Sequence, residues 1–167
     1  MVYFTEYESP IGKLTIVSDG ESIIGLWMQG QKYFAATVKE EMKRQDELPV
    51  FDMAKSWLDR YFAGEKMRIG DLPLALQGSE FRQKVWKILC EITYGETITY
   101  GEIANRIAVL DGKKSMSAQA VGGAVGHNPI SIIIPCHRVI GTDGSLTGYA
   151  GGIEKKKWLL RHEGFKI

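Results

Sequence analysis

Thr99-Tyr100-Gly101-Glu102 and, further on, Ser117-Ala118-Gln119-Ala120-Val121-Gly122-Gly123-Ala124-Val125 decide how the second half of this chain folds. Thr followed three residues later by Glu is the capping-box pattern, which satisfies backbone N–H groups left open by a first helical turn. A short helix is therefore predicted from there through Ile107. A loop with Asp111-Gly112 follows, Ser115 offers a second N-cap, and the next helix is built of side chains almost without bulk. Two short helices joined by a turn, the second of tiny residues, predict a helix-turn-helix. Gly122 and Gly123 each cost about 1 kcal/mol relative to Ala inside a helix. Either tight packing on a neighbouring helix or close approach of the backbone to a ligand, such as a polynucleotide groove, offsets that cost. The segment alone slightly favours packing.

Working outward, the N-terminal residues alternate like an antiparallel meander. Val2 to Tyr7, Lys13 to Val17 and Ile23 to Met28 are β-rich runs, separated by Ser9-Pro10-Ile11-Gly12 and Asp19-Gly20-Glu21. Helices are predicted over Tyr33 to Arg44 and over Phe51 to Ala63, the latter with Met53, Trp57 and Tyr61 four residues apart and Gly64 as C-cap. Arg68 to Gly78 reads as a linker. Ser79 caps a helix carrying Phe81, Val85, Ile88, Leu89 and Ile92, and Gly95 stops it. Strand Ile130 to Ile134, a turn at Asp143-Gly144, a glycine-rich loop from Gly148 to Gly152 and a helix from Glu154 to His162 close the chain. The expected class is α/β (α+β): a small N-terminal antiparallel-sheet and helix domain over 1–77, and a mainly helical domain with short strands over 78–167.

The chain has 167 residues, 44% hydrophobic and 25% charged, which are ordinary globular values that exclude a disordered or collagen-like reading. No apolar run approaches the ~20 residues of a bilayer span. The first residues carry Glu6 and Glu8 where a secretory signal would be cationic, and two cysteines make a poor disulfide framework. A soluble protein of a reducing cytoplasm is expected. The net charge of +1 divides into −3 over residues 1–77 and +4 over 78–167. That asymmetry permits a polyanionic partner but is equally well read as scatter of surface charge.

Ile134-Pro135-Cys136-His137-Arg138-Val139-Ile140-Gly141 is the sharpest chemical feature. A lone cysteine is usually a small buried hydrophobe, and Cys90, within an amphipathic helix, fits that reading. Cys136 instead ends a β-branched run beside His137 and Arg138, an electropositive setting that favours thiolate. In an extended strand neighbouring side chains point to opposite faces, so His137 could serve as its base only through a turn or a bridging water. One Cys beside one His cannot supply the three or four ligands of a zinc site, and Gly148 to Gly152 lacks the Lys-Ser/Thr of a phosphate-binding loop. No metal and no cofactor are expected.

Pro135-Cys136-His137-Arg138, preceded by Ala120 to Ala124 and Asn128-Pro129 and followed by Gly148-Tyr149 and Trp158 to Glu163, resembles the O6-alkylguanine-DNA alkyltransferases, also called methylated-DNA–protein-cysteine methyltransferases. The likeness covers about residues 79–167 with the motifs in one order; residues 1–77 match in general plan. It implies a single-turnover DNA repair protein in which Cys136 accepts the alkyl group of O6-alkylguanine, with O4-alkylthymine a second candidate lesion. By the same resemblance His137 would take the thiol proton through a water, Glu163 would orient His137, and Asn128 would pin the turn before the active-site strand. Tyr149 would hydrogen-bond the guanine and help protonate it, and Tyr100 would help expel the nucleotide. The carbonyls of Cys136 and Val139 would accept the guanine amino group. The small helix (Ala118, Gln119, Ala120, Gly122) would face the minor groove of double-stranded DNA, from which the base is flipped, and Arg138 would be a further substrate or DNA contact. The partner would be alkylated duplex bound by a monomer.

Three other readings compete. A non-catalytic lesion binder of the alkyltransferase-like type would carry Trp in place of Cys136. A Cys-His hydrolase would need an oxyanion hole, and no motif for one is evident. A methylation-responsive transcription factor would need a further domain.

Ala150 replaces a Ser used by some members, and the loop from Val109 to Lys114 is longer than in several, adding Lys113 and Lys114. Gln119 stands where many members carry Arg, losing the cation and the planar guanidinium. Gln119→Arg is therefore expected to tighten duplex binding and to steepen its salt dependence, read by fluorescence anisotropy across a salt series. Unchanged affinity would place Gln119 away from the base stack.

Overall fold

A computed structural model describes residues 1–146 and 148–167. They form two compact units, Met1–Gln77 with Pro129–Ile133, and Gly78–Asn128 with Ile134–Ile167. The first unit thus takes in a short segment from the C-terminal half of the sequence.

The first unit is a four-stranded sheet with one helix. β1 (Val2–Ser9), β2 (Gly12–Ser18) and β3 (Ile23–Met28) form the expected meander, antiparallel throughout. The turn glycines Gly12 and Gly20 take the positive φ that the two connections need. Residues 33–44 differ from the amphipathic helix expected of them. They run through successive turns, with Tyr33 and Ala35 at positive φ, into a short β4 (Met42–Arg44) that pairs parallel to β1. Val38, Ala35 and Met42 pack against Val2, Val17, Ile24 and Trp27, so the apolar residues that mimic a helical stripe are spent covering the sheet. The sheet order is β3-β2-β1-β4, mixed rather than purely antiparallel.

α1 (Pro49–Phe62) opens on Pro at its first position, where the missing N–H costs nothing. Its buried face runs through Val50, Phe51, Ala54, Trp57, Leu58 and Tyr61, while Met53 is exposed, so the expected Met53–Trp57–Tyr61 row holds only in part. Trp57 stacks on Tyr61 and donates from Nε1 to the Arg68 carbonyl, 3.0 Å. Ile130 bridges Leu26, and the remainder of the expected strand Ile130 to Ile134 is turn, with Ile132 at φ 71°.

The second unit is mainly helical. α2 (Glu80–Leu89) is capped by Ser79, whose hydroxyl accepts from the Arg82 N–H at 3.2 Å. Its Trp86 is fully buried and donates to the Ala124 carbonyl at 2.8 Å. β5 (Ile98–Thr99) leads into α3 (Tyr100–Leu110), capped by Thr99 as the sequence predicts but three residues longer than expected. α4 (Ala118–Gly126) begins after Ser117, which displaces Ser115 as the cap: its hydroxyl accepts from the Ala120 N–H at 3.1 Å. α3 packs on α4, and α2 packs on both. β6 (Val139–Ile140) runs parallel to β5, and α5 (Ile153–His162) closes the chain. Among the described residues, no helix is long and apolar enough to cross a membrane.

Gly25 offers a test of the sheet. A Cβ there would lie 2.1 Å from the ring of Trp27, a core residue in the same strand. Gly25→Ala is expected to destabilise the fold by about 1–3 kcal/mol, the usual cost of overpacking. The urea midpoint checks it, and an unchanged midpoint would mean that the indole has room to move.

Candidate alkyl-acceptor site

Cys136, His137 and Arg138 form one 3-10 turn, the first of the two routes left open for His137 to serve Cys136. The Cys136 N–H bonds the Ile134 carbonyl and the Arg138 N–H bonds the Pro135 carbonyl. Bending the chain at this point removes the objection that neighbours in a strand face apart. The turn is held from two sides.

From α4, Asn128 closes the base of the segment that precedes the turn. Its side-chain N–H donates to the Ile134 carbonyl at 2.8 Å, and its amide also bonds the Cys136 sulfur. Asn128 is 2% exposed, so both bonds form out of water.

From the end of α5, Glu163 receives two donors. His137 Nε2 lies 2.6 Å from Oε2, and Arg138 Nε lies 2.7 Å from Oε1. Burial alone would raise this carboxyl, but the His137 and Arg138 hydrogen bonds and charges outweigh it and hold the pKa at about 2. Burial keeps the His137 imidazole below its ordinary value, hence neutral at pH 7. With Nε2–H donating to the carboxylate, Nδ1 is left as an acceptor, buried and without a hydrogen-bond partner among the described residues. Arg138, expected to face DNA, turns inward. It also donates to the Ile92 carbonyl at 2.7 Å and lies over the Tyr94 ring. Its guanidinium is engaged in holding the turn.

Cys136 itself is 5% exposed. Burial pushes the thiol up, against the expectation of a depressed value; the bonds from Asn128 and Tyr149 and the charge of Lys156 pull the other way. Tyr100, the first residue of α3, is held by burial at a pKa of about 12, so its phenol is protonated. Gly148, at φ +88°, comes so close to this phenol that a Cβ would sit 3.1 Å from its oxygen.

The sequence reading missed Lys156. In the run Lys155-Lys156-Lys157 it passes for a solvated charge, yet it is fully buried. Its ammonium donates to the Val139 carbonyl and lies 6.0 Å from the ring centres of Tyr100 and Tyr149. The available signal was periodicity: Lys156, Leu159, Leu160 and Glu163 share one helical face.

On α4, Ala118, Gln119 and Ala120 are exposed. A Cβ on Gly123 would meet nothing within 4 Å, and one on Gly122 only the Tyr100 ring at 3.9 Å. Tight packing therefore does not explain the glycines. Among the described residues there is no cluster of three metal-ligating side chains.

A buried Cys beside a neutral His oriented by a carboxylate, next to a helix pair with one bare exposed face, makes a candidate nucleophile carried on a helix-turn-helix. Two family models match, the 6-O-methylguanine DNA methyltransferase DNA binding domain over residues 80–165 and its ribonuclease-like domain over residues 2–76. The chain belongs to the 6-O-methylguanine DNA methyltransferase family. It is 47% identical to the methylated-DNA–protein-cysteine methyltransferase of Haemophilus influenzae, covering 97% of this chain and 86% of that one. It is 43% identical to that of Methanosarcina acetivorans, covering 98% and 99%. The crystal structure of Mycobacterium tuberculosis OGT in complex with DNA matches with TM-score 0.83 and 44% identity, over 96% of this chain and 92% of that chain.

Glu163→Gln replaces one of the two acceptor oxygens with a donor NH2 and leaves the Arg138 guanidinium without its countercharge. A loss of about 3–5 kcal/mol is expected, the usual cost of breaking a buried pair. In the wild type the lowered carboxyl contributes stability that is full above pH 4.5 and drains away as pH falls toward 2. The variant should lack that acid limb, which urea midpoints across a pH series would show. An unaltered limb would assign acid sensitivity to other carboxylates.

Proposed function

We propose that this chain removes the alkyl group from O6-alkylguanine in DNA by transferring it to its own Cys136. The activity is that of a methylated-DNA–protein-cysteine methyltransferase, a direct reversal of damage. The observation that carries the reading is the turn that joins Cys136 to the His137–Glu163 pair, with Asn128 bonded to the sulfur.

The chemistry follows from those positions. The Cys136 proton passes through a water to Nδ1 of His137, and the imidazolium is stabilised by Glu163. The thiolate attacks the alkyl carbon, the S–C bond forms as the C–O6 bond breaks, and the electron pair stays with guanine. Tyr149 gives that base a proton, and the proton that His137 took from Cys136 returns to the Tyr149 phenolate, leaving both side chains neutral. Among the described residues nothing beside the product thioether is able to cleave it, so each molecule acts once.

An O6 atom stacked inside a duplex is out of reach, and flipping its nucleotide costs a few kcal/mol. Ala118, Ala120 and Gly122 let α4 lie close against the minor groove, Gln119 reaches toward the emptied stack, and Tyr100 displaces the nucleotide. The Val139 carbonyl takes the guanine amino group. Arg138 acts through the turn, not on DNA. O4-alkylthymine is a second candidate lesion. The protein works as a cytoplasmic monomer, with no metal or cofactor in the reaction.

Cys136 disfavours the lesion-binding alternative, which has no acceptor. Incubation with duplex containing O6-methylguanine should add one methyl to the Cys136 peptide, one equivalent per protein, by mass mapping. Cys136→Ala should abolish transfer and keep lesion binding. An unmodified peptide with tight binding, or turnover past one equivalent, would sink the reading.

A further inference from the structure

The charges buried around the turn do not balance in the resting protein. Glu163 is answered by Arg138 and by the His137 N–H, and that group closes on itself. Lys156 is fully buried two turns earlier on the same face of α5, and among the described residues no carboxylate forms an ion pair with it. Its ammonium is held instead by neutral groups, the Val139 carbonyl and the faces of Tyr100 and Tyr149. A buried cation without an anion is costly and is ordinarily avoided. Of the groups beside it that can become an anion, Cys136 and the phenols of Tyr100 and Tyr149, the thiol is by nature the most acidic.

We propose that Lys156 is the counter-cation of the Cys136 thiolate, a positioning residue that holds positive charge beside the sulfur so that the thiol ionises readily enough to attack. The proposal rests on Cys136 being the alkyl acceptor.

The surroundings of Lys156 agree with this assignment. The titratable groups near it are Cys136 and His137 on the turn, Tyr100 on α3 and Tyr149 on the loop before α5. Both tyrosines present a π-face, which tolerates a cation while offering no negative charge to neutralise it. Burial draws the ammonium down to a pKa of about 8, and a sulfur anion would restore it. The same cation disfavours protonated His137, so the imidazolium formed when His137 takes the thiol proton depends on Glu163 for its stabilisation. Lys156 gives up no proton in the transfer itself.

The test titrates the thiol directly. Thiolate absorbance at 240 nm is followed against pH in the Cys90→Ser background, with Cys136→Ser subtracted. Lys156→Met keeps the volume and removes both the charge and the donor. Lys156→Gln removes the charge but keeps a donor for the Val139 carbonyl, and serves alone should the Met variant not fold. Both neutral variants are expected to raise the Cys136 midpoint by a unit or more, a tenfold loss of thiolate at a given pH. The rising limb of the single-turnover transfer rate should move upward by the same amount. A midpoint that stays put in Lys156→Gln overturns the proposal, because the residue would then act only by holding the Val139 carbonyl. Methyl mapping on wild-type protein is read separately: an unmethylated Cys136 would refute the acceptor role whatever the thiol titration gives.

Discussion

The carboxylate of Glu163 is the point from which the site is built. One oxygen fixes the imidazole of His137 and the other fixes the guanidinium of Arg138, and all three side chains are out of water. In so dry a setting each hydrogen bond is strong, and each missing one would be expensive. Two consecutive residues of a 3-10 turn can share one carboxylate only if the chain bends there, so the pair fixes the turn as well as the ring. Cys136, one residue earlier, inherits its place from that geometry.

The second constraint is the path of the chain. Pro129–Ile133 belongs with the first unit, while Asn128 and Ile134 both belong to the second. The side chain of Asn128 spans the two ends of that excursion by bonding the Ile134 carbonyl. An amide is well suited to this, because it donates to the carbonyl and still has hydrogen-bonding capacity for the nearby sulfur. Cys136 is thereby set by the residue just past the end of α4 on one side and by the end of α5 on the other.

The electrostatics of the turn run opposite to a simple reading of its neighbours. His137 is neutral, Arg138 is paired, and burial raises the thiol instead of lowering it. A thiol kept protonated at rest is protected from adventitious electrophiles.

Much of this was legible in the sequence because it depends on neighbours along the chain. Turn chemistry set β1 to β3, Ser79 and Thr99 capped their helices, and the order of motifs around Cys136 named the family. Other features depended on which side of an element meets the core, which local patterns do not record. Residues 33–44 carry a helical stripe but cover a sheet, Met53 shares a period with Trp57 yet faces water, and Ser117 outcompetes Ser115 as a cap. Arg138 and Lys156 are the clearest cases. Both look like surface cations in sequence, and both are buried because distant partners, Glu163 and the Ile92 carbonyl for one and the Val139 carbonyl for the other, complete their hydrogen bonds. Sequence determined the chemistry that this chain carries; tertiary packing decided which charges are withdrawn from solvent, because desolvation is set by every neighbour in space and not by the next residue in line.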